Sequence, residues 1–118
     1  MQFMLQYYYD PTTQPAEDSP EAACEFQEWM ARAKAMAEAG VSVAGAPLLP
    51  PETATTIRKT RGSFTTTDGP FAETKEVLGG FDLIEVADLD AALEWARNVP
   101  GDSGTVEVRP VMNLDDLG

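Results

Sequence analysis

The chain is 118 residues long and 43% hydrophobic, and it carries eight basic against twenty acidic residues, a net charge of −12. That length suits one domain with a modest core, and the hydrophobic share excludes a disordered chain. The charge excludes direct nucleic-acid binding, which needs clustered cations to displace counterions from phosphates, and it disfavours anionic membrane surfaces.

The sequence contains no histidine and one cysteine, Cys24. The missing histidine removes the commonest general base near neutral pH, the Ser-His and Cys-His nucleophile pairs and the usual zinc ligands. No metal and no cofactor are expected. One cysteine rules out an internal disulfide, and a reducing, cytoplasmic location fits. Residues 1–10 lack the basic start and apolar stretch of a signal peptide. No run approaches the roughly 20 apolar residues of a membrane span.

In chain order, Gln2 to Tyr9 reads as a strand in which Phe3, Leu5, Tyr7 and Tyr9 alternate with Met4, Gln6 and Tyr8. A polar loop runs to Asp18. Ser19 is a helix N-cap, followed by Pro20 at the first helical position and Glu21 at the positive end of the dipole. Ala22, Phe26, Trp29, Met30, Ala33, Met36 and Ala37 recur at helical spacing and are expected to face the core. Gly40 is the expected stop. Val41 to Leu48 forms a second strand, with Gly45 marking a bulge or a close backbone approach. Pro47, Pro50 and Pro51 end its pairing.

Thr53 to Thr60 and Ser63 to Thr67 read as a hairpin around Arg61-Gly62, followed by the turn signal Asp68-Gly69-Pro70. The next strand lies within Val77 to Val86 and is expected from Gly80 to Val86. Asp88 caps a second helix whose buried face is Leu89, Ala92, Leu93, Ala96 and Val99, and Pro100-Gly101 stops it. Thr105 to Met112 is the last strand. The domain is expected over residues 1–112, with an acidic, frayed tail over 113–118.

With the hairpin set aside as an insertion, the order is βαββαβ, an α+β split βαβ arrangement with an antiparallel sheet. Two helices cover one face of such a sheet. The other must meet water or another protein. Met4, the tyrosines, Val106 and Val108 argue against a wholly wet face, and a symmetric homodimer is the simplest cover.

The run Thr67-Asp68-Gly69-Pro70-Phe71-Ala72-Glu73-Thr74-Lys75-Glu76, followed by Leu78-Gly79-Gly80-Phe81 and Leu83-Ile84-Glu85-Val86, resembles the signature of the DGPF branch of the YCII-related family of small bacterial proteins. Further likeness lies in Met4 to Tyr8, Pro50 to Thr56, Asp90 to Ala96 and Val106 to Val111, so the resemblance spans nearly the whole chain. It implies a ferredoxin-like fold, a dimeric α/β barrel and a cleft near the signature. It also implies enzymatic chemistry built on a His and an Asp, of which this chain keeps only Asp68. Some relatives resemble partners of alternative sigma factors, which implies a regulatory role as an alternative.

Asp68 is a general acid or base in such a cleft, or it hydrogen-bonds its own turn. Phe71 reads as core before ligand platform. Glu73 and Lys75 fall on one side of an extended segment and hold a polar ligand together with Glu76, or form a solvated ion pair. Tyr8 and Arg58 complete the candidate ligand-binding set. Alternating charges such as Arg58, Glu107 and Arg109 more often mark a wet face. Cys24 has no cationic neighbour to lower its pKa, so a nucleophilic role is not expected. These residues support a homodimeric binding module for a small molecule or protein. An enzyme using Asp68, Glu73 or Lys75 for proton transfer, and a sigma-factor partner, stand as alternatives.

Overall fold

The structure, a computed structural model, describes residues 1–117; Gly118, the last residue of the expected tail, lies outside the described residues. The elements are β1 (Gln2–Tyr9), α1 (Pro20–Glu38), β2 (Ser42–Pro47), β3 (Thr55–Thr60), β4 (Ser63–Asp68), β5 (Val77–Glu85), α2 (Leu89–Arg97) and β6 (Thr105–Pro110). Four strands form one antiparallel sheet in the order β2-β5-β1-β6, while β3 and β4 pair only with each other. This is the ferredoxin-like α+β arrangement with a hairpin inserted between β2 and β5.

Local chemistry explains the helix ends. The Ser19 hydroxyl accepts a hydrogen bond from Ala22 N–H at 3.1 Å, and the Asp88 carboxylate accepts one from Ala91 N–H at 2.9 Å. At the end of α1, Gly40 (φ +72°) takes the left-handed conformation that residues with a side chain adopt at a cost. Its N–H reaches the Ala37 carbonyl, and Val41 N–H reaches the Met36 carbonyl. This is a Schellman closure, with Val41 packed against the core that contains Met36.

The core consists of Phe3, Leu5, Met36, Ile84 and Ala92, flanked by Tyr7, Val41, Val86, Trp95, Val106 and Val108. Val106 and Val108 therefore lie under the helices and not on the bare face, because they pair with Tyr7 and Leu5. The bare face carries Met4, Gln6 and Tyr8 from β1, Phe81 and Leu83 from β5, and Glu107 and Arg109 from β6.

The inward stripe of α1 differs from the expected one. Arg32 and Met36 are buried and Ala22, Glu25 and Trp29 half-buried, while Phe26, Met30, Ala33 and Ala37 are exposed. The helix is rolled so that Arg32 faces inward, where its guanidinium meets Tyr7, Asp82 and the Trp95 carbonyl. Leu89, expected inside, is also exposed. It stands at the first turn of α2, at the rim of the core.

β5 begins at Val77 instead of Gly80, because a bulge lets pairing continue. Tyr7 pairs with Gly80 and Tyr8 with Leu78, so Gly79 is the extra residue. A Cβ on Gly79 would lie 2.8 Å from the Tyr9 ring. The tail is not simply frayed: Leu114–Leu117 makes a 3-10 turn, and the Asn113 side chain accepts from Asp115 N–H at 3.0 Å.

The hairpin arm turns at Arg61 (φ 50°) and Gly62 (φ 84°), the two positive φ values that match a tight turn to the twist of its strands. It projects from the body. The radius of gyration is 16.6 Å, against about 13–14 Å for a compact chain of this length.

Gly45 is the most constrained glycine. A Cβ there would overlap the Asp82 carboxylate and lie 2.9 Å from the Phe81 carbonyl oxygen. Gly45→Ala is expected to destabilise the fold by about 2 kcal/mol, read as a lower urea midpoint. An unchanged midpoint would show that the strand shifts freely to make room.

Candidate functional site

Two polar clusters emerge, one closed and one open. The closed one lies between α1, the sheet and α2. Tyr7 points to the helix side of β1, and Asp82 lies on the same side of β5. The Tyr7 hydroxyl donates to Asp82 Oδ2 at 2.6 Å and accepts from Arg32 Nη1 at 2.9 Å. Arg32 Nη2 donates to the Trp95 carbonyl at 2.8 Å, and Nη1 lies 3.5 Å from Asp82 Oδ2. Trp29 meets Tyr7 edge to face at a centroid distance of 5.1 Å, and the guanidinium stacks over both rings. Arg32 Nε is buried without a partner. Burial, reinforced by the hydrogen bond to Asp82, raises the Tyr7 pKa well above its ordinary value, while the Arg32 charge acts in the opposite direction. This cluster is a neutralised tie between helices and sheet.

The open cluster is a hollow of about 340 Å³ lined by Asp10, Thr13, Lys75, Glu76, Ser103 and Gly104. Three connections meet there: the loop after β1, the segment before β5 and the loop before β6. Their acidic groups are already engaged. Asp10 accepts from the Thr12 hydroxyl at 2.7 Å and from Thr12 N–H at 2.9 Å, and these bonds, with the Lys75 charge, lower its pKa. Glu76 Oε1 accepts from the Thr105 hydroxyl at 2.8 Å, and its carbonyl accepts from the Thr74 hydroxyl at 2.6 Å. Lys75 has no carboxylate within salt-bridge distance among the described residues. The donor left to meet an incoming molecule is therefore the Lys75 ammonium.

The structure brings together only part of the set expected from sequence. Lys75 and Glu76 share the hollow; Glu73 is exposed and lines neither it nor a second one. Asp68 closes β4 opposite Thr55. The turn after it is held by the Thr56 hydroxyl, which donates to the Gly69 carbonyl at 2.7 Å, and by Gly69 N–H bonding to the Ala54 carbonyl. Arg58 lines the second, shallower hollow on the arm with Thr56, Ile57, Lys59 and Phe71. Phe71 is not core: it is 77% exposed, because the arm on which it lies has no second layer to bury it. Tyr8 is half-buried on the bare sheet face, between Leu78 and Thr105.

Sequence reasoning missed Asp10, Thr13, Ser103, Arg32 and Asp82. Two signals pointed to the last pair. The 22-25-29-32-36 spacing puts Arg32 in line with Trp29 and Met36, and strand alternation puts Asp82 on the side of Ile84. Nothing local announces that the loops bearing Asp10 and Ser103 converge.

A four-stranded antiparallel sheet with two helices on one face, and a hollow where three connections converge, define a small ferredoxin-like α+β domain. The chain belongs to the YCII-related domain family, whose profile matches residues 1–115. It is 38% identical over 114 residues to an uncharacterised protein of Rhizobium meliloti (strain 1021), an alignment that covers 94% of this chain and 92% of that one. No helix among the described residues is long and apolar enough to cross a membrane.

Tyr7→Phe removes a hydroxyl that both donates and accepts, leaving buried Arg32 and half-buried Asp82 with fewer partners. The expected loss is about 1–3 kcal/mol in urea unfolding at neutral pH. The raised folded-state pKa also has a sign. The folded chain keeps the Tyr7 proton at a pH where the unfolded chain releases it, so this stability is present below about pH 10 and declines as pH rises above it. The midpoint of the parent protein should therefore fall more between pH 9 and pH 11 than that of Tyr7→Phe; parallel declines would refute the assignment.

Proposed function

We propose that the chain acts as a homodimeric binding module that takes a small, anionic polar molecule in the hollow beside Lys75. The observation that carries the binding reading is the state of the polar groups there. The carboxylates of Asp10 and Glu76 are occupied by Thr12 and Thr105, while Lys75 is unpaired among the described residues. A ligand carboxylate or phosphate is the complement of an ammonium that has the Asp10 charge nearby but no carboxylate within ion-pair distance among the described residues, with Thr13 and Ser103 as further polar contacts. The volume, about 340 Å³, falls in the range of small-molecule sites.

The homodimer is supported by the bare sheet face. Met4, Tyr8, Phe81 and Leu83 lie on it with no helix over them; Gln6 stands among them, opposite Phe81, and Glu107 and Arg109 line the β6 edge. A largely apolar patch with charged residues kept to its edge is what a stable interface buries. Pairing two such faces about a two-fold axis buries both without new elements.

Light scattering should give the mass of a dimer, and Phe81→Asp with Leu83→Asp should shift it toward the monomer. A parent protein that runs as a monomer at high concentration would remove the dimer from this reading. A thermal-shift screen of small carboxylates and phosphates should yield stabilising compounds, since a ligand bound to the folded state raises apparent stability. Lys75→Ala should abolish those shifts while leaving the unliganded midpoint unchanged. Shifts that survive Lys75→Ala would place binding elsewhere.

A further inference from the structure

The hairpin arm separates the charge of the chain in space. Between Thr55 and Asp68 stand Arg58, Lys59 and Arg61 against a single acid, Asp68; the rest of the chain holds five basic and nineteen acidic residues. The arm is thus net +2 and the remainder −14, which together make the chain's −12. None of the three arm cations has a carboxylate within salt-bridge distance among the described residues.

The arm is also apolar on one side. Register places Ile57, Lys59, Phe64 and Thr66 on one face, and Thr56, Arg58, Thr60, Ser63, Thr65 and Thr67 on the other. Ile57 is 65% and Phe64 66% exposed, and Lys59 Nζ sits 5.4 Å from the Phe64 ring centre. A two-stranded hairpin with no second layer is marginal in water. The arm holds its shape at the base through Ala54, Thr56 and Gly69, but it buries no core of its own.

We infer that the arm docks on a second copy of this chain, laying Ile57 and Phe64 on the partner's body with Lys59 and Arg61 against the partner's acidic residues. The occupant is set by complementarity. The arm is basic and apolar, and the surface available in highest local concentration within a dimer is an acidic body identical to the one from which the arm projects away. Two-fold symmetry makes the contact twice, so each protomer both gives and receives an arm. Exchange of this kind also accounts for the extended shape, 51 × 45 × 18 Å, of a single protomer. This inference rests on the homodimer reading and adds the arm as its clasp.

The test uses the full chain, mixed from ¹⁴N- and ¹⁵N-labelled copies and treated with a carbodiimide that joins amines to carboxylates without a spacer. Mass spectrometry then separates links within a chain from links between chains. Lys59 is expected to link between chains to a body carboxylate, while Lys75, beside Asp10 in its own hollow, gives the within-chain control. Charge reversal at Arg58→Glu, Lys59→Glu and Arg61→Glu should weaken the dimer about tenfold or more, and added salt should weaken the parent in the same direction. Ile57→Ser with Phe64→Ser, which leaves the charge intact, should also weaken it; circular dichroism confirms that both variants fold. A parent dimer with Lys59 linked only within its own chain, and unaffected by either variant, overturns the arm contact and leaves the dimer standing. A parent that is monomeric overturns both. Capture of the arm by another protein in place of its twin, with no link between copies, also overturns it.

Discussion

The fold hangs on one buried cation. Arg32 reaches from α1 to the Tyr7 hydroxyl on β1, to the carboxylate of Asp82 on β5, and on the same side of the sheet to the Trp95 carbonyl near the end of α2. Only five hydrophobic residues among those described are buried, so apolar packing alone gives the helices few fixed points. A buried ion pair is a poor source of net stability, because desolvation of both charges offsets their attraction. Its contribution here is directional. Three elements must meet in one geometry for the two terminal guanidinium nitrogens to find their partners, and Gly45 must lack a side chain for the Asp82 carboxylate to fit. The cluster specifies the roll of α1, and that roll decides which residues face water.

That dependence explains what was and was not legible in the sequence. The strands, both helices and their caps followed from local rules: Ser19, Gly40 and Asp88 act on their nearest neighbours, and alternation in β1 needs only the pleat. The turn at Arg61-Gly62 was equally local. The roll of α1 was not. Phe26, Met30, Ala33 and Ala37 match helical spacing as well as the true stripe does, and periodicity ranks an arginine last for the core. Only the partners of Arg32, contributed by β1, β5 and α2, reverse that ranking. Val106 and Val108 were placed on the wrong face for a related reason, since a strand pattern shows that alternate residues share a side but not which side the helices take.

The candidate site shows the same division. Lys75 and Glu76 drew attention because polar residues crowd the 67–76 segment. Their companions, Asp10, Thr13 and Ser103, come from loops that ordinary sequence patterns treat as connections. The segment itself has two ends with different tasks. Asp68 and Gly69 belong to the arm, where Thr56 and Ala54 hold the turn, whereas Thr74 and Glu76 belong to the body, where Thr105 anchors the Glu76 carboxylate. What reads as one motif along the chain is a strap between two structural parts.

The strap gives the hollow and the arm a common mechanical element. Lys75 sits one residue from the Glu76 anchor and a short irregular stretch from the base of the arm. A force or contact that fixes the arm also limits the positions open to residues 70–75, and so to the ammonium that faces the hollow. The proposed binding at Lys75 would limit the same stretch from the other end. Two events that order one segment each make the other less costly in conformational entropy, and that coupling is reciprocal by thermodynamic necessity. If the proposed ligand site and the proposed arm contact both form, the strap over residues 67–76 is the segment they share, with Gly69 held at the arm end and Glu76 at the body end.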